Sequence, residues 1–149
     1  LGHPSRRCVD HQDAVHRYRG RISGPLLDRI DIHLEVPAQR PDVLQTGSSG
    51  MATVELRERV AAARERMLQR QRCANSALTP RGLQQHLHAD DDALRLLAQA
   101  VEELGLSARA YDRILKVART IADLDARERV VLDDVSEGIG YRVLDRAGG

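Results

Sequence analysis

The sequence predicts a mainly α-helical chain: a small bundle of about four helices, preceded by the remnant of an α/β unit that holds one short strand. Three observations support this fold class. Apolar residues recur at helical spacing through most of residues 54–145. Residues 31–36 alternate between apolar and polar, as in a single strand. Residues 38–53 are rich in Pro, Gly and Ser and show no periodicity, which indicates a flexible loop between the two parts.

The first two bundle helices are expected at about 54–72 and 90–104. In the first, spacings of four, three and four define one buried face: Leu56, Val60, Ala63 and Met67. The second begins with three aspartates that suit a helix N-terminus, and Gly105 follows its last turn. Its predicted buried stripe is Leu94, Leu97, Val101 and Leu104.

The third and fourth helices are expected at about 108–124 and 133–145. Ser107 is the predicted N-cap of the third, whose apolar stripe is Ala110, Ile114, Val117, Ile121 and Leu124. The fourth has the apolar positions Val135, Ile139 and Val143, and two glycines, Gly138 and Gly140, weaken it by roughly 1 kcal/mol each relative to Ala. A further short turn at 79–87 begins with Pro80 at its first helical position.

The N-terminal part is expected to hold a short helix at 13–19, another at 24–30 that starts at Pro25, and the strand at 31–36. Ile32, Leu34 and Val36 share one face of that strand. A lone strand leaves its backbone edges unpaired. We therefore expect its sheet to lie upstream, in a longer protein of which this chain is a piece, and the start at Leu1 rather than Met agrees with this.

Composition excludes several classes of protein. The 149 residues are 42% hydrophobic and 30% charged, with a net charge of +1, which argues against a generally basic nucleic-acid binder. No apolar run approaches the 18 residues of a membrane span, and we expect no secretory signal. Two cysteines, Cys8 and Cys73, favour a reducing cytoplasm over a disulfide scaffold. Residues 54–73 have a charge of +3, so direct DNA binding by this helix stays an open alternative.

The chain contains no complete catalytic or metal motif. There is no G-x-S-x-G nucleophile motif and no G-x-x-x-x-G-K-[ST] phosphate loop. The chain therefore cannot hydrolyse a nucleotide alone by P-loop chemistry. Cys8 and His11, with His3 nearby, are loosely spaced candidate zinc ligands, and we expect no metal site within this chain.

Arginines are the remaining candidates for chemistry. Arg29 lies in S-G-P-L-L-D-R-I-D, at the end of a predicted helix and just before the strand. Arg109, Arg113 and Lys116 follow at i, i+4 and i+7 on the polar face of the third helix, with Arg109 in its first turn. Permanently charged guanidinium groups suit the binding of phosphate. The alternative is a solvated polar face without a ligand.

Two longer segments carry a resemblance to a known family. R-I-S-G-P-L-L-D-R-I-D-I-H-L-E-V-P at 21–37 and L-G-L-S-A-R-A-Y-D-R-I-L-K-V-A-R-T-I-A-D-L at 104–124 resemble the C-terminal portion of Mg-chelatase-like AAA+ ATPases of the competence protein ComM type. The N-terminal L-G-H-P-S-R-R-C and Y-R-V-L-D-R at 141–146 are similar to the same family. The similarity covers nearly the whole chain.

This resemblance implies a domain organisation and specific roles. Residues 1–37 would be the end of the AAA+ core, 38–53 a loop, and 54–149 the helical lid, with the Walker motifs upstream. Arg29 matches the arginine finger, which acts on ATP in the neighbouring subunit, and Arg109 matches the sensor-2 arginine. Arg113 and Lys116 are weaker candidates for ATP contacts. Cys8 matches one cysteine of a family cluster. Asp10 stands where another cysteine is expected, which argues against a zinc site shared with upstream residues, although this alternative stays open.

For the full-length protein, the resemblance implies a cytoplasmic homo-hexamer that uses ATP and Mg²⁺ to act on DNA, in branch migration or helicase activity during natural transformation. This chain alone is expected to be monomeric, to bind neither cofactor, and to contact no membrane. Two alternatives stay open: an ATPase-subunit-like module of a magnesium chelatase, and a non-enzymatic helical interaction domain.

Overall fold

The structure, a computed structural model, describes residues 11–34, 36 and 50–142. The expected mainly helical fold is confirmed. A 3-10 turn at Asn75–Ala77 joins two of the helices, and the only β-bridge among the described residues is a parallel one between Ala89 and Val130. Seven α-helices occur in this part of the chain: α1 (Gln12–Arg19), α2 (Gly24–Leu27), α3 (Thr53–Gln71), α4 (Pro80–His86), α5 (Asp91–Leu104), α6 (Ala108–Leu124) and α7 (Leu132–Gly140).

Helix α6 lies at the centre of the bundle. Helices α3, α4 and α7 and the 3-10 turn all pack against it, and α5 packs against α7. The core between them is aliphatic, and its largest fully buried apolar side chains are Leu97, Ile114, Val130 and Val135. None of the described helices is both long and apolar enough to cross a membrane.

The helix ends agree with three of the predicted end residues, Ser107, Pro80 and Gly105. The Ser107 hydroxyl accepts a hydrogen bond from the Ala110 N–H at 3.1 Å, at the start of α6. Pro80 occupies the first turn of α4, as expected. Gly105 ends α5 with a φ of +62°, which a residue with a side chain rarely adopts. Asp90 differs from expectation because its carboxylate pairs with Arg129 and makes no side-chain cap.

The buried face of α3 is shorter than predicted. Ala63 and Met67 are buried, whereas Leu56 and Val60 are 47% and 57% exposed. Helix α3 packs against α6, and the Arg70 side chain near the C-terminal end of α3 reaches Asp123 of α6. The predicted positions in the N-terminal half of α3 therefore stay exposed.

The predicted stripe on α6 is rotated about the helix. Ala110 and Ile114 are buried as expected, but Val117, Ile121 and Leu124 are only partly buried. Because neighbours surround α6, its buried side extends over further positions, namely Leu115, Ala118, Arg119, Ala122 and Asp123.

On α5, small residues occupy much of the buried side. Leu97 is buried as predicted, together with Ala93 and Ala100. The other predicted positions are partly buried and pack against the core: Leu94, Val101 and Leu104.

Helix α7 is shorter than predicted and packs closely on α6. It ends at Gly140, and the predicted position Val143 lies outside the described residues. Val135 and Ile139 are buried as expected. A Cβ atom added at Gly138 would lie 3.3 Å from both the Cγ2 and the backbone oxygen of Ile114. The glycine thus permits a close approach of the two helices, in addition to its cost in helix propensity.

The strand expected at 31–36 does not form in the described residues 31–34 and 36, and α2 ends at Leu27 rather than near residue 30. A strand is defined by its pairing. Here the His33 N–H donates to the Tyr141 oxygen at 2.8 Å, but no ladder follows. Most of the expected loop at 38–53 lies outside the described residues, as do His3, Cys8 and Asp10.

Candidate functional site

Arg29 lies on the surface, in the turn that follows α2. Its backbone N–H donates to the Leu26 oxygen at 3.0 Å, so the turn directly continues the short helix. The residue is exposed. Its side chain makes no hydrogen bond or ion pair with any other described residue, so the guanidinium is available to a ligand.

The backbone on both sides of Arg29 is attached to the helical bundle. Arg142, which follows α7 and is 1% exposed, donates to the Ile30 oxygen and has its Nη2 atom 3.8 Å from Oδ1 of Asp28. Arg113 of α6 forms an ion pair with Asp31. The exposed arginine is therefore flanked by residues that contact α6 and the end of α7.

Arg109 lies in the first turn of α6, as predicted, and is also exposed. Its side chain has no polar partner within the described part of the chain. Arg113 follows one turn later, on the same side of the helix, and reaches the segment of Arg29 through Asp31. Lys116 donates from Nζ to the Ser76 oxygen at 3.2 Å. Arg29 and Arg109 thus have no polar partner among the described residues, whereas Arg113 pairs with Asp31 and Lys116 binds the Ser76 oxygen.

The exposed arginines suit an anion in their chemistry. A guanidinium group is always charged and presents five donors in a planar fork that matches phosphate oxygens. Within the described ranges, no group of three or more His, Cys, Asp or Glu side chains is arranged to hold a metal ion.

A buried polar network centred on Asp123 was not foreseen from the sequence. Arg70 donates to both oxygens of this carboxylate, at 2.6 and 2.9 Å. Asn75 donates at 2.8 Å and Arg119 at 3.0 Å. Burial alone pushes the pKa of Asp123 upward, but the hydrogen bonds from Arg70 and Asn75 and the charge of Arg119 bring this pKa below its ordinary value. The carboxylate is therefore held in its ionised form.

Arg119 extends this network to the turn before α7. Its two terminal nitrogens donate to the oxygens of Glu128 and Arg127, both at 2.6 Å. Burial lowers the pKa of Arg119, although the charge of Asp123 opposes the shift. Arg127 in turn pairs with both oxygens of Asp134 at 2.6 and 2.7 Å, and its hydrogen bonds to Asp134 and Asp125 raise its pKa. The sequence held one signal of this buried network: Arg119 and Asp123 are spaced i, i+4 among apolar positions of the same helix.

Comparisons with known proteins match most of this chain to two families of the magnesium chelatase subunit ChlI. The family described as magnesium chelatase, subunit ChlI C-terminal, matches residues 50–142. The family described as magnesium chelatase, subunit ChlI, matches residues 1–44. The two matches lie on either side of residues 45–49.

Curated bacterial relatives agree with this match. Protein YifB of Salmonella typhimurium is 40% identical over 141 residues, which cover 94% of this chain and 28% of the relative. Competence protein ComM of Haemophilus influenzae is 39% identical over 133 residues, 89% of this chain and 26% of the relative. Protein Mb2921c of Mycobacterium bovis is 32% identical over 139 residues, 91% of this chain and 27% of the relative.

The chain spans between 26% and 28% of the length of these relatives. More than half of it matches a single family. The chain therefore belongs to the magnesium chelatase ChlI C-terminal family, as a C-terminal region of the ComM-like, Mg-chelatase-type AAA+ proteins.

Proposed function

We propose that this chain is the arginine-finger and lid portion of a hexameric AAA+ ATPase that acts on DNA. In this proposal Arg29 is the arginine finger, which contacts ATP bound by the neighbouring subunit, and Arg109 is the sensor-2 residue. The proposal rests on one observation, the exposed side chain of Arg29 on an attached backbone. Its side chain is exposed and unengaged among the described residues, while the backbone on both sides of it is attached to the bundle.

The two arginines suit different tasks in phosphoryl transfer. Negative charge on the transferred phosphoryl group is stabilised by a permanently charged donor from outside the nucleotide pocket, as an arginine finger supplies. Arg29 protrudes from a short turn and fits this task. Arg109 lies in the first turn of a 17-residue helix, where free backbone N–H groups and the helix dipole add to its attraction for phosphate. When bound with ATP, Mg²⁺ supplies further neutralisation of phosphate charge.

The wider activity is proposed for the complete protein. The name of competence protein ComM, to which this chain is 39% identical, supports a role in natural transformation. Branch migration of DNA by a cytoplasmic homo-hexamer fits such a role. The Walker motifs, the ring contacts and the contacts with DNA would then be supplied mostly by the remainder of the polypeptide, since this chain spans about a quarter of its relatives.

The test is the rate of ATP hydrolysis by the full-length protein. Arg29→Ala is expected to lower kcat by about 10³- to 10⁵-fold, the usual contribution of an arginine finger, with ATP binding largely intact. The matched control is Arg81→Ala, which removes another exposed arginine, on α4. Phosphate release gives kcat, and titration with a fluorescent ATP analogue gives the affinity. Wild-type turnover by Arg29→Ala would refute the proposed finger.

The family description favours one second candidate, an ATPase-subunit-like module of a magnesium chelatase. Two assays with the full-length protein separate the candidates. Movement of a four-way DNA junction that depends on ATP supports the first function. Insertion of Mg²⁺ into a porphyrin, in the presence of chelatase partner subunits, supports the second. A non-enzymatic interaction domain is indicated if Arg29→Ala and Arg109→Ala both leave ATP hydrolysis unchanged.

A further inference from the structure

We infer that Arg113 and Arg142 are positioning residues, which hold the Arg29 segment on the helical bundle and thereby set where the Arg29 side chain points. This inference rests on the proposed role of Arg29 as a finger. In this role Arg113 and Arg142 do not contact the nucleotide.

Arg142 holds the segment from inside the bundle. The residue is 1% exposed, and a charged side chain is rarely buried to this extent unless it is paired. Its guanidinium contacts the residues that directly precede and follow Arg29: the Asp28 carboxylate at 3.8 Å and the Ile30 oxygen. Because this buried guanidinium contacts both neighbours of Arg29, it favours one position of the turn against the end of α7.

Arg113 holds the same segment from α6. Its ion pair with Asp31 connects two residues that are 82 positions apart in the sequence. The Arg113 and Asp31 side chains are 28% and 48% exposed, so this pair contributes little to stability. Its removal is therefore expected to change the position of the turn while the bundle stays folded.

The Arg113 contact also connects the Arg29 segment with the helix of Arg109. Arg109 and Arg113 lie one turn apart on α6, and Arg113 pairs with Asp31, two residues from Arg29.

The test uses the full-length protein with substitutions at the contacts. Asp31→Asn and Arg113→Gln are expected to lower kcat for ATP hydrolysis by up to about 100-fold, the effect of a displacement near 1 Å. The KM for ATP is expected to stay unchanged, because the finger stabilises charge that develops in the transition state rather than in bound ATP. The charge swap of Asp31→Arg with Arg113→Asp is expected to restore most of kcat. Arg95→Gln, in an exposed pair on α5, is the matched control.

A double-mutant cycle separates positioning from a general structural role. In the background of Arg29→Ala, Asp31→Asn is expected to cause no further loss of kcat, because the group that it positions is already absent. Arg142→Gln is expected to behave in the same way wherever its circular dichroism shows a folded bundle. If Arg142→Gln unfolds, the more exposed Asp31–Arg113 pair decides the question.

The outcomes distinguish the two proposals. Wild-type kcat for Asp31→Asn, or losses that multiply with Arg29→Ala, would overturn the positioning role and leave the finger in place. Wild-type kcat for Arg29→Ala would overturn the finger itself and the positioning role that depends on it. Both proposals are supported if Arg29→Ala and Asp31→Asn each lower kcat and their losses are not additive. The charge swap of Asp31→Arg with Arg113→Asp must also restore kcat.

Discussion

Replacing Asp123 by Asn tests the buried network at the centre of the bundle. The carboxylate is 1% exposed on its side chain and accepts hydrogen bonds from Arg70, Asn75 and Arg119. Asparagine keeps the shape of the side chain but removes its charge. It also places an amide donor among groups that are themselves donors. The fully buried Arg119 then lacks its only ion-pair partner among the described residues.

The size of the effect follows from burial. Breaking a buried ion pair by removing one partner costs about 3–5 kcal/mol. In a domain of roughly 60–100 residues, each 1 kcal/mol lowers Tm by about 4–8 °C, so Tm is expected to fall by at least about 12 °C. A loss of this size approaches the whole stability of many domains, which is about 5–15 kcal/mol.

Thermal and urea unfolding followed by circular dichroism at the helical band measures this loss on the 149-residue chain. Glu103→Gln is the matched control, because it makes the same carboxyl-to-amide change at an exposed position near the end of α5. The control is expected to unfold within about 0.5 kcal/mol of the parent. If Asp123→Asn also unfolds within that range, the network does not stabilise the fold and the reasoning is wrong.

Three further predictions concern the same bundle. Since the pKa of Asp123 lies below its ordinary value of 3.8, its stabilisation is present above that pH and is lost as the pH falls through the folded-state pKa. Tm should therefore drop more between about pH 6 and about pH 3 in the parent than in Asp123→Asn. Gly138→Ala is expected to destabilise by about 1–2 kcal/mol through its contact with Ile114, whereas Gly140→Ala, which meets open space, stabilises by up to about 1 kcal/mol. Equal urea midpoints for these two variants would contradict the packing argument. Ser107→Ala is expected to cost about 1 kcal/mol in the same assay, and no change would show that the cap is dispensable.

Local signals in the sequence predicted most of the helices and several of their ends. Ser107, Pro80 and Gly105 act within one turn of the chain, so their effect does not depend on the tertiary fold. The helix predicted at 54–72 is observed at Thr53–Gln71, and that at 108–124 is observed at Ala108–Leu124. The exposed position of Arg109 in the first turn of α6 follows from the same local information.

Contacts between distant segments were not predictable from periodicity. An apolar stripe identifies one buried side, but α6 is surrounded by neighbours, and its second buried side includes Arg119 and Asp123. Their burial depends on Arg70 and Asn75, which are far away in the sequence. The attachment of the Arg29 segment to Arg113 and Arg142 is likewise a tertiary contact. The resemblance indicated a role for Arg29 but gave no information on what holds it.

The hydrogen bonds of Arg119 have a consequence for local motion. One side chain joins the middle of α6 to the oxygens of Arg127 and Glu128, next to the bridge between Ala89 and Val130. The turn between α6 and α7 cannot open without leaving a buried cation unsatisfied. Opening of this turn therefore carries the cost of two hydrogen bonds from a charged donor, about 1.5–3 kcal/mol each, and we expect the turn to open less often than one held by its backbone alone.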